Sequence, residues 1–156
     1  MVLQQRNATA LLLNLSIIEN GDAMEFCYND GGRANTYRGQ TGDCAVRALA
    51  IAAQLPYEHV YADAKTLLPK GHTFKRGVPK EIINHLATKY GGSWIATMRP
   101  GQGCKVHLKA DELPQGRIVV RVTKHVAAVI NGVLHDTYDC SRGGTRCVYG
   151  YWDFGS

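Results

Sequence analysis

The sequence predicts an α+β domain in which helices come first and an antiparallel sheet then packs against a buried helix. Three observations predict it. Residues 44–90 carry apolar positions at helical spacing with clear stop signals. Residues 93–152 carry β-branched and aromatic runs. Between two of those runs stands Asn131-Gly132, the strongest short-range hairpin signal. A chain of 156 residues suits a single domain and buries enough surface to fold without cross-links.

Taken in order, residues 1–27 read as an N-terminal extension or edge hairpin, with Asn20-Gly21 as the turn between Leu15–Ile18 and Met24–Tyr28. Asn14 and Ser16 interrupt the apolar run and no A-x-A site follows, so a secretory signal is not expected. Residues 28–156 form the main domain. Its first helix is expected from Cys44 to about Leu55, with Asp43 as N-cap and Pro56 as stop. That helix is apolar on nearly every side except at Arg47 and Gln54, which marks it as central and buried. Pro56 can open a second helix as its first residue, through about Leu68. A third runs from about Val78 to Tyr90 and stops at Gly91-Gly92. Strands are expected at Trp94–Met98, Arg117–Thr123, His125–Ile130, Val133–Tyr138 and Thr145–Trp152.

Composition narrows the function classes. At 45% hydrophobic and 20% charged residues the chain is globular rather than disordered. Its apolar runs are far too short for a membrane span. The formal charge of +5 suits an acidic partner but does not mark a nucleic-acid binder. The five cysteines suit a reducing cytoplasm as free thiols, one of which is a candidate for chemistry.

That candidate is Cys44. It follows the glycine-bearing string Arg38-Gly39-Gln40-Thr41-Gly42-Asp43 and opens the buried helix. The positive end of a helix dipole favours the thiolate, which is the nucleophilic form. Glycines let backbone N–H groups approach a developing oxyanion. A thiol nucleophile needs a base, and His125 stands out among the six histidines because it begins a hairpin strand. With Asn131 and Gly132 as a two-residue turn, residue 130 pairs with 133, 129 with 134, and 125 with 138. His125, Ala127 and Val129 then share a face with Leu134, Asp136 and Tyr138. Asp136 becomes the diagonal neighbour of His125, within side-chain reach, while Asp139 falls on the opposite face. Cys44, His125 and Asp136 are therefore the expected nucleophile, base and orienting acid.

The string His125-Val-Ala-Ala-Val-Ile-Asn-Gly resembles the histidine strand of papain-like cysteine peptidases, and Gly42-Asp43-Cys44 resembles the start of their cysteine helix. From Tyr28 onward the strings Tyr28–Arg33, Thr41–Cys44, His135–Thr137 and Gly143–Trp152 also resemble a group of small bacterial and phage proteins. The first resemblance implies a papain-like fold, acyl transfer from a peptide or isopeptide, a peptide or protein substrate, and no cofactor. It also implies an oxyanion-hole Gln about six residues before the Cys. Position 38 is Arg, so the candidate donor is Gln40, four residues before Cys44. Two rival readings are a papain-like binding module without activity and a basic nucleic-acid-associated module.

Weaker signals complete the reading. Cys104-x-x-His107 with Cys140 and Cys147 offers zinc-type ligands, but not at a standard spacing, so no metal is expected. The loops Asp30–Arg33 and Arg142–Arg146 pair glycines with arginines and could rim a cleft. No Walker A string or dinucleotide fingerprint is present.

Overall fold

The computed structural model describes residues 24–156. In chain order the elements are β1 (Phe26–Tyr28), α1 (Cys44–Ala53), α2 (Tyr57–Leu67), α3 (Lys80–Lys89), β2 (Ser93–Ala96), β3 (Arg117–Val122), β4 (His125–Ile130), β5 (Val133–Asp136) and β6 (Gly150–Asp153). The chain is α+β, with helices packed on a six-stranded sheet of order β1-β5-β4-β3-β6-β2.

The helix boundaries follow from local chemistry. Gln54 takes the left-handed conformation (φ 57°), and the N–H of Leu55 bonds back to the carbonyl of Ala50 at 3.0 Å. This wrapped-back end closes α1 two residues short of the expected Leu55. Pro56 and Pro79 each occupy the N-cap position, one residue before their helices rather than inside them.

The hairpin between β4 and β5 has the expected register, with Ile130 opposite Val133 and Val129 opposite Leu134. Asn131 and Gly132 both have positive φ, as a two-residue turn of this hand requires. Several strand expectations change. Trp94–Met98 shifts to Ser93–Ala96, and Val133–Tyr138 ends at Asp136, so residues 125 and 138 do not pair. The stretch 145–149 is loop, and only Gly150–Asp153 pairs as β6, because Arg142, Gly143 and Gly144 all take positive φ and turn the chain away from the sheet. The sheet is also mixed rather than purely antiparallel, since β1 runs parallel to β5 with Phe26 opposite Leu134 and Tyr28 opposite Asp136. A parallel pair needs a long crossover, and the intervening helices and strands supply it.

β1 also spans the expected boundary between residues 27 and 28, and Met24 is buried in the core. The turn at Asn20-Gly21 and its first strand, Leu15–Ile18, lie outside the described residues.

Both faces of the central strands are covered, which explains why β3 and β4 read as continuous apolar runs. On one face Val119, Val126, Ala128 and Trp152 pack against Val46, Leu49 and Ala52 of α1 and their neighbours. On the other, Ile118, Val120, Val129 and Leu134 pack against Leu108, Leu113, Cys140 and Val148, which belong to the long loops before β3 and β6.

Those two loops are joined by a disulfide between Cys104 and Cys147. The expectation of five free thiols therefore fails for this pair, while Cys27, Cys44 and Cys140 are free. The bond also takes two members from the candidate zinc set, and His107 pairs instead with Glu112 at 3.2 Å. A cross-link over 43 residues removes loop entropy from the unfolded chain. Reduction, or Cys104→Ser with Cys147→Ser, is expected to cost about 2–4 kcal/mol, read from urea unfolding with midpoint and slope both fitted, since the released chain exposes more surface on unfolding.

Candidate active site

Cys44 begins α1, and the loop before it is held by close backbone contact. A Cβ at Gly42 would lie 2.3 Å from the carbonyl oxygen of Phe74 and 2.9 Å from the nitrogen of Gly77. Only glycine fits there, and the 73–77 turn is thereby fixed against the Cys44 loop. Asp43 occupies the N-cap position, but its carboxylate caps nothing. It is fully buried, accepts a hydrogen bond from the Tyr57 hydroxyl at 2.5 Å, and pairs with Arg47 one turn along α1. Arg33 stands 3.6 Å from the same carboxylate.

Arg47 opens its fork between two acids. One terminal nitrogen meets Asp43, and the other lies 3.3 Å from Oδ1 of Asp136. Asp136 is buried and also accepts the Thr137 backbone N–H at 2.7 Å. Its other oxygen, Oδ2, lies 2.6 Å from Nε2 of His125. The diagonal contact predicted from the hairpin register is thus present. His125 is the first residue of β4 and Asp136 the last of β5, so both stand at the strand ends that face the start of α1. The exposed Tyr138 sets its ring 5.3 Å from the imidazole.

Cys44 completes the group. Its half-buried thiol lies beside His125 and Val126 on the wall of the same recess. Burial pushes the thiol pKa up, but the His125 bond and charge, the Val126 N–H and the Arg47 charge outweigh it and leave the thiol below its ordinary value. Burial likewise pulls His125 down, yet hydrogen bonds to Asp136, Cys140 and Cys44 carry it up to about 12. Asp136 is raised by burial but held below the usual carboxylate range by His125, Thr137 and Arg47. The three directions agree in sense: each favours the charged form, thiolate, imidazolium and carboxylate. Because Nε2 faces Asp136, Nδ1 is the ring nitrogen left to exchange a proton with sulfur or substrate.

The group opens onto a cleft of about 620 Å³ that reaches from Tyr28 and Asp30 past Cys44 to Lys124 and Tyr138. Gln40 is exposed and lines this cleft, on the loop before Cys44. Arg33 lines it as well, and Arg142 lines a neighbouring hollow beyond His125. The other candidates fall elsewhere. His135 bonds Asn29 at 3.2 Å, and Asp139 bonds the Ser141 hydroxyl at 2.6 Å.

Sequence reasoning missed four members of the site: Tyr57, Arg47, Cys140 and the buried carboxylate of Asp43. The signal for Arg47 was present, since one charge in an otherwise apolar helix must find a buried partner. Cys140 is buried, and its sulfur lies with donor atoms of His125 and Asp136 inside a 4.8 Å cluster. These are ligand types that zinc accepts, but Asp136 is already engaged by His125, Thr137 and the Arg47 cation, which opposes a metal at that oxygen.

No protein-family model matches the chain, and no match is found among curated proteins or solved structures. No helix among the described residues is long and apolar enough to cross a membrane.

Proposed function

We propose that the protein is a papain-like cysteine hydrolase or acyl transferase acting on a peptide, isopeptide or related amide bond of a peptide or protein substrate. One observation supports the reading above all others: His125 bonds Asp136 at 2.6 Å through Nε2 and shares the wall of one cleft with the Cys44 thiol. A nucleophile, a base and a group that orients the base form the minimal set for thiol acyl transfer.

The steps follow from the resting ion pair. The Cys44 thiolate attacks the carbonyl carbon, and the π-electron pair moves to oxygen. Backbone N–H groups at the start of α1 and the side chain of Gln40 are the proposed oxyanion donors. Collapse of the adduct breaks the C–N bond, and His125 gives its proton to the departing nitrogen. A thioester remains on Cys44. The now neutral His125 takes a proton from water or another acceptor, whose oxygen or nitrogen displaces the thiolate. Asp136 holds the ring in one tautomer and stabilises its charged form throughout.

The proposed place of action is the cytoplasm, where a reactive thiol stays reduced; the Cys104–Cys147 disulfide favours an oxidising compartment instead. Trapping free thiols during extraction and mapping that pair decides between them. The function itself is tested with a panel of fluorogenic peptide amides and isopeptides, comparing wild type with Cys44→Ala. Turnover that vanishes in Cys44→Ala is the expected result. Turnover unchanged by that substitution, or none in either protein across the panel, overturns the proposal.

A further inference from the structure

Past Cys44 the cleft continues toward α3 into a second recess of about 420 Å³. Its floor is apolar, with Ile83, Val126 and Trp152 among its residues. Its rim carries Arg76, Lys80, Arg121 and Lys124, and no aspartate or glutamate among the described residues lines it. Among the described residues none of these four cations forms an ion pair. The other end of the cleft is different: Arg33 and Arg47 there are matched by Asp43, and Asp30 turns its carboxylate onto the backbone N–H groups of Gly32 and Ala34.

Four like charges around one hollow repel each other, and concave low-dielectric walls focus their potential. An anion in the hollow relieves that repulsion. Lys124 is held there by an unusual backbone, since it takes φ 56° in the turn immediately before His125. It lines both recesses, beside the reacting groups.

We propose that this recess is a specificity subsite for an acidic residue of the substrate, so that the protein selects amide bonds flanked by aspartate or glutamate. The carboxylate meets the cationic rim and the methylene stem rests on the apolar floor. This deepens the cysteine-hydrolase reading and rests on it. The recess suits a peptide better than a nucleic acid. Binding to single strands uses a groove that tracks the backbone and exposed aromatic faces for stacking. Here the cations converge on one hollow, and Trp152 is only 1% exposed, so it offers no face to a base.

The test separates binding from turnover. Cys44→Ala protein is titrated with fluorescent alanine-based octapeptides that carry Glu, or its neutral isostere Gln, at each position in turn. At the preferred position the Glu peptide is expected to bind about tenfold more tightly than the Gln peptide, the factor that one charge-assisted contact supplies. The preference is expected to collapse in Lys80→Glu/Lys124→Glu, two exposed sites whose change leaves the core intact. Equal affinities for Glu and Gln at every position overturn the subsite. So does a single-stranded oligonucleotide that displaces the Glu peptide at lower concentration than unlabelled peptide does. Turnover by wild type is read separately. A Glu preference in binding with no hydrolysis of any octapeptide leaves the subsite standing and overturns the hydrolase reading.

Discussion

Arg47→Met is expected to lose about 3–5 kcal/mol of stability, the cost of removing one partner from a buried ion pair. Methionine keeps much of the side-chain volume, so the loss reports charge rather than a cavity. The reason is the pair of acids that the guanidinium joins. Asp43 is 0% exposed and Asp136 3% exposed, and both keep their negative charge inside the fold. With Arg47 gone, Asp43 keeps the Tyr57 hydroxyl and a more distant Arg33, and Asp136 keeps His125 and the Thr137 N–H. Neither set includes a cation placed between the two acids. The side chain of Arg47 is itself only 11% exposed, so water supplies little screening. Against a total stability of roughly 5–15 kcal/mol the loss is large, and it moves the urea midpoint accordingly. Asp43→Asn in the same chain is expected to restore part of it, since an amide still accepts from Tyr57 and leaves one fewer buried charge unpaired. Arg47→Lys is expected to recover less than its charge suggests, because an ammonium lacks the fork that reaches both acids. A loss under 1 kcal/mol in Arg47→Met would show that the network contributes no more than a surface pair.

The same network marks the limit of what the sequence discloses. The α1 start, the β4–β5 register and the His125–Asp136 contact were legible because each rests on local rules: an acid before an apolar helical run, a two-residue turn and the alternation of side chains along a strand. No local rule brings Cys44 to them, and that approach was expected only from the order of the residues and the family resemblance. Parallel pairing of β1 was not legible, because no local pattern records which edge a three-residue strand joins. The Cys104–Cys147 bond was not legible either, since it depends on two irregular loops meeting across 43 residues. Asp43 shows a subtler failure. Its position before a helix predicts a capping side chain, yet the carboxylate turns to Arg47, one turn on, and to the Tyr57 hydroxyl. A strong local preference yielded to the larger cost of an unpaired buried charge. The α3-side recess follows the same logic, since its four cations are scattered along the chain and share a rim only in the fold.

His125→Ala is expected to move the pH dependence of Cys44 upward. In the wild type, burial raises the thiol pKa and the imidazolium outweighs it, so the thiolate persists below the ordinary thiol range of about 8–9. Without the ring, burial still raises the thiol and only the Val126 N–H and the Arg47 charge oppose it. The thiol of the variant therefore titrates above that of the wild type. Alkylation by iodoacetamide, followed in a Cys27→Ser background because Cys27 is exposed, reads this directly. The wild-type profile should bend at a lower pH than the variant profile. Each pKa unit gained removes about tenfold of the thiolate at neutral pH, while the intrinsic nucleophilicity of the thiolate rises about threefold, so the net loss is roughly threefold per unit. Asp136→Asn should fall between the two, since the ring stays but loses the carboxylate that stabilises its charge. Hydrolysis should suffer far more than alkylation, on the order of 10⁴-fold, because iodoacetamide needs only the thiolate whereas an amide also needs the His125 proton for its leaving nitrogen. Superimposable alkylation profiles for wild type and His125→Ala would mean that the imidazole does not govern the sulfur, and the proposed acyl chemistry would lose its base.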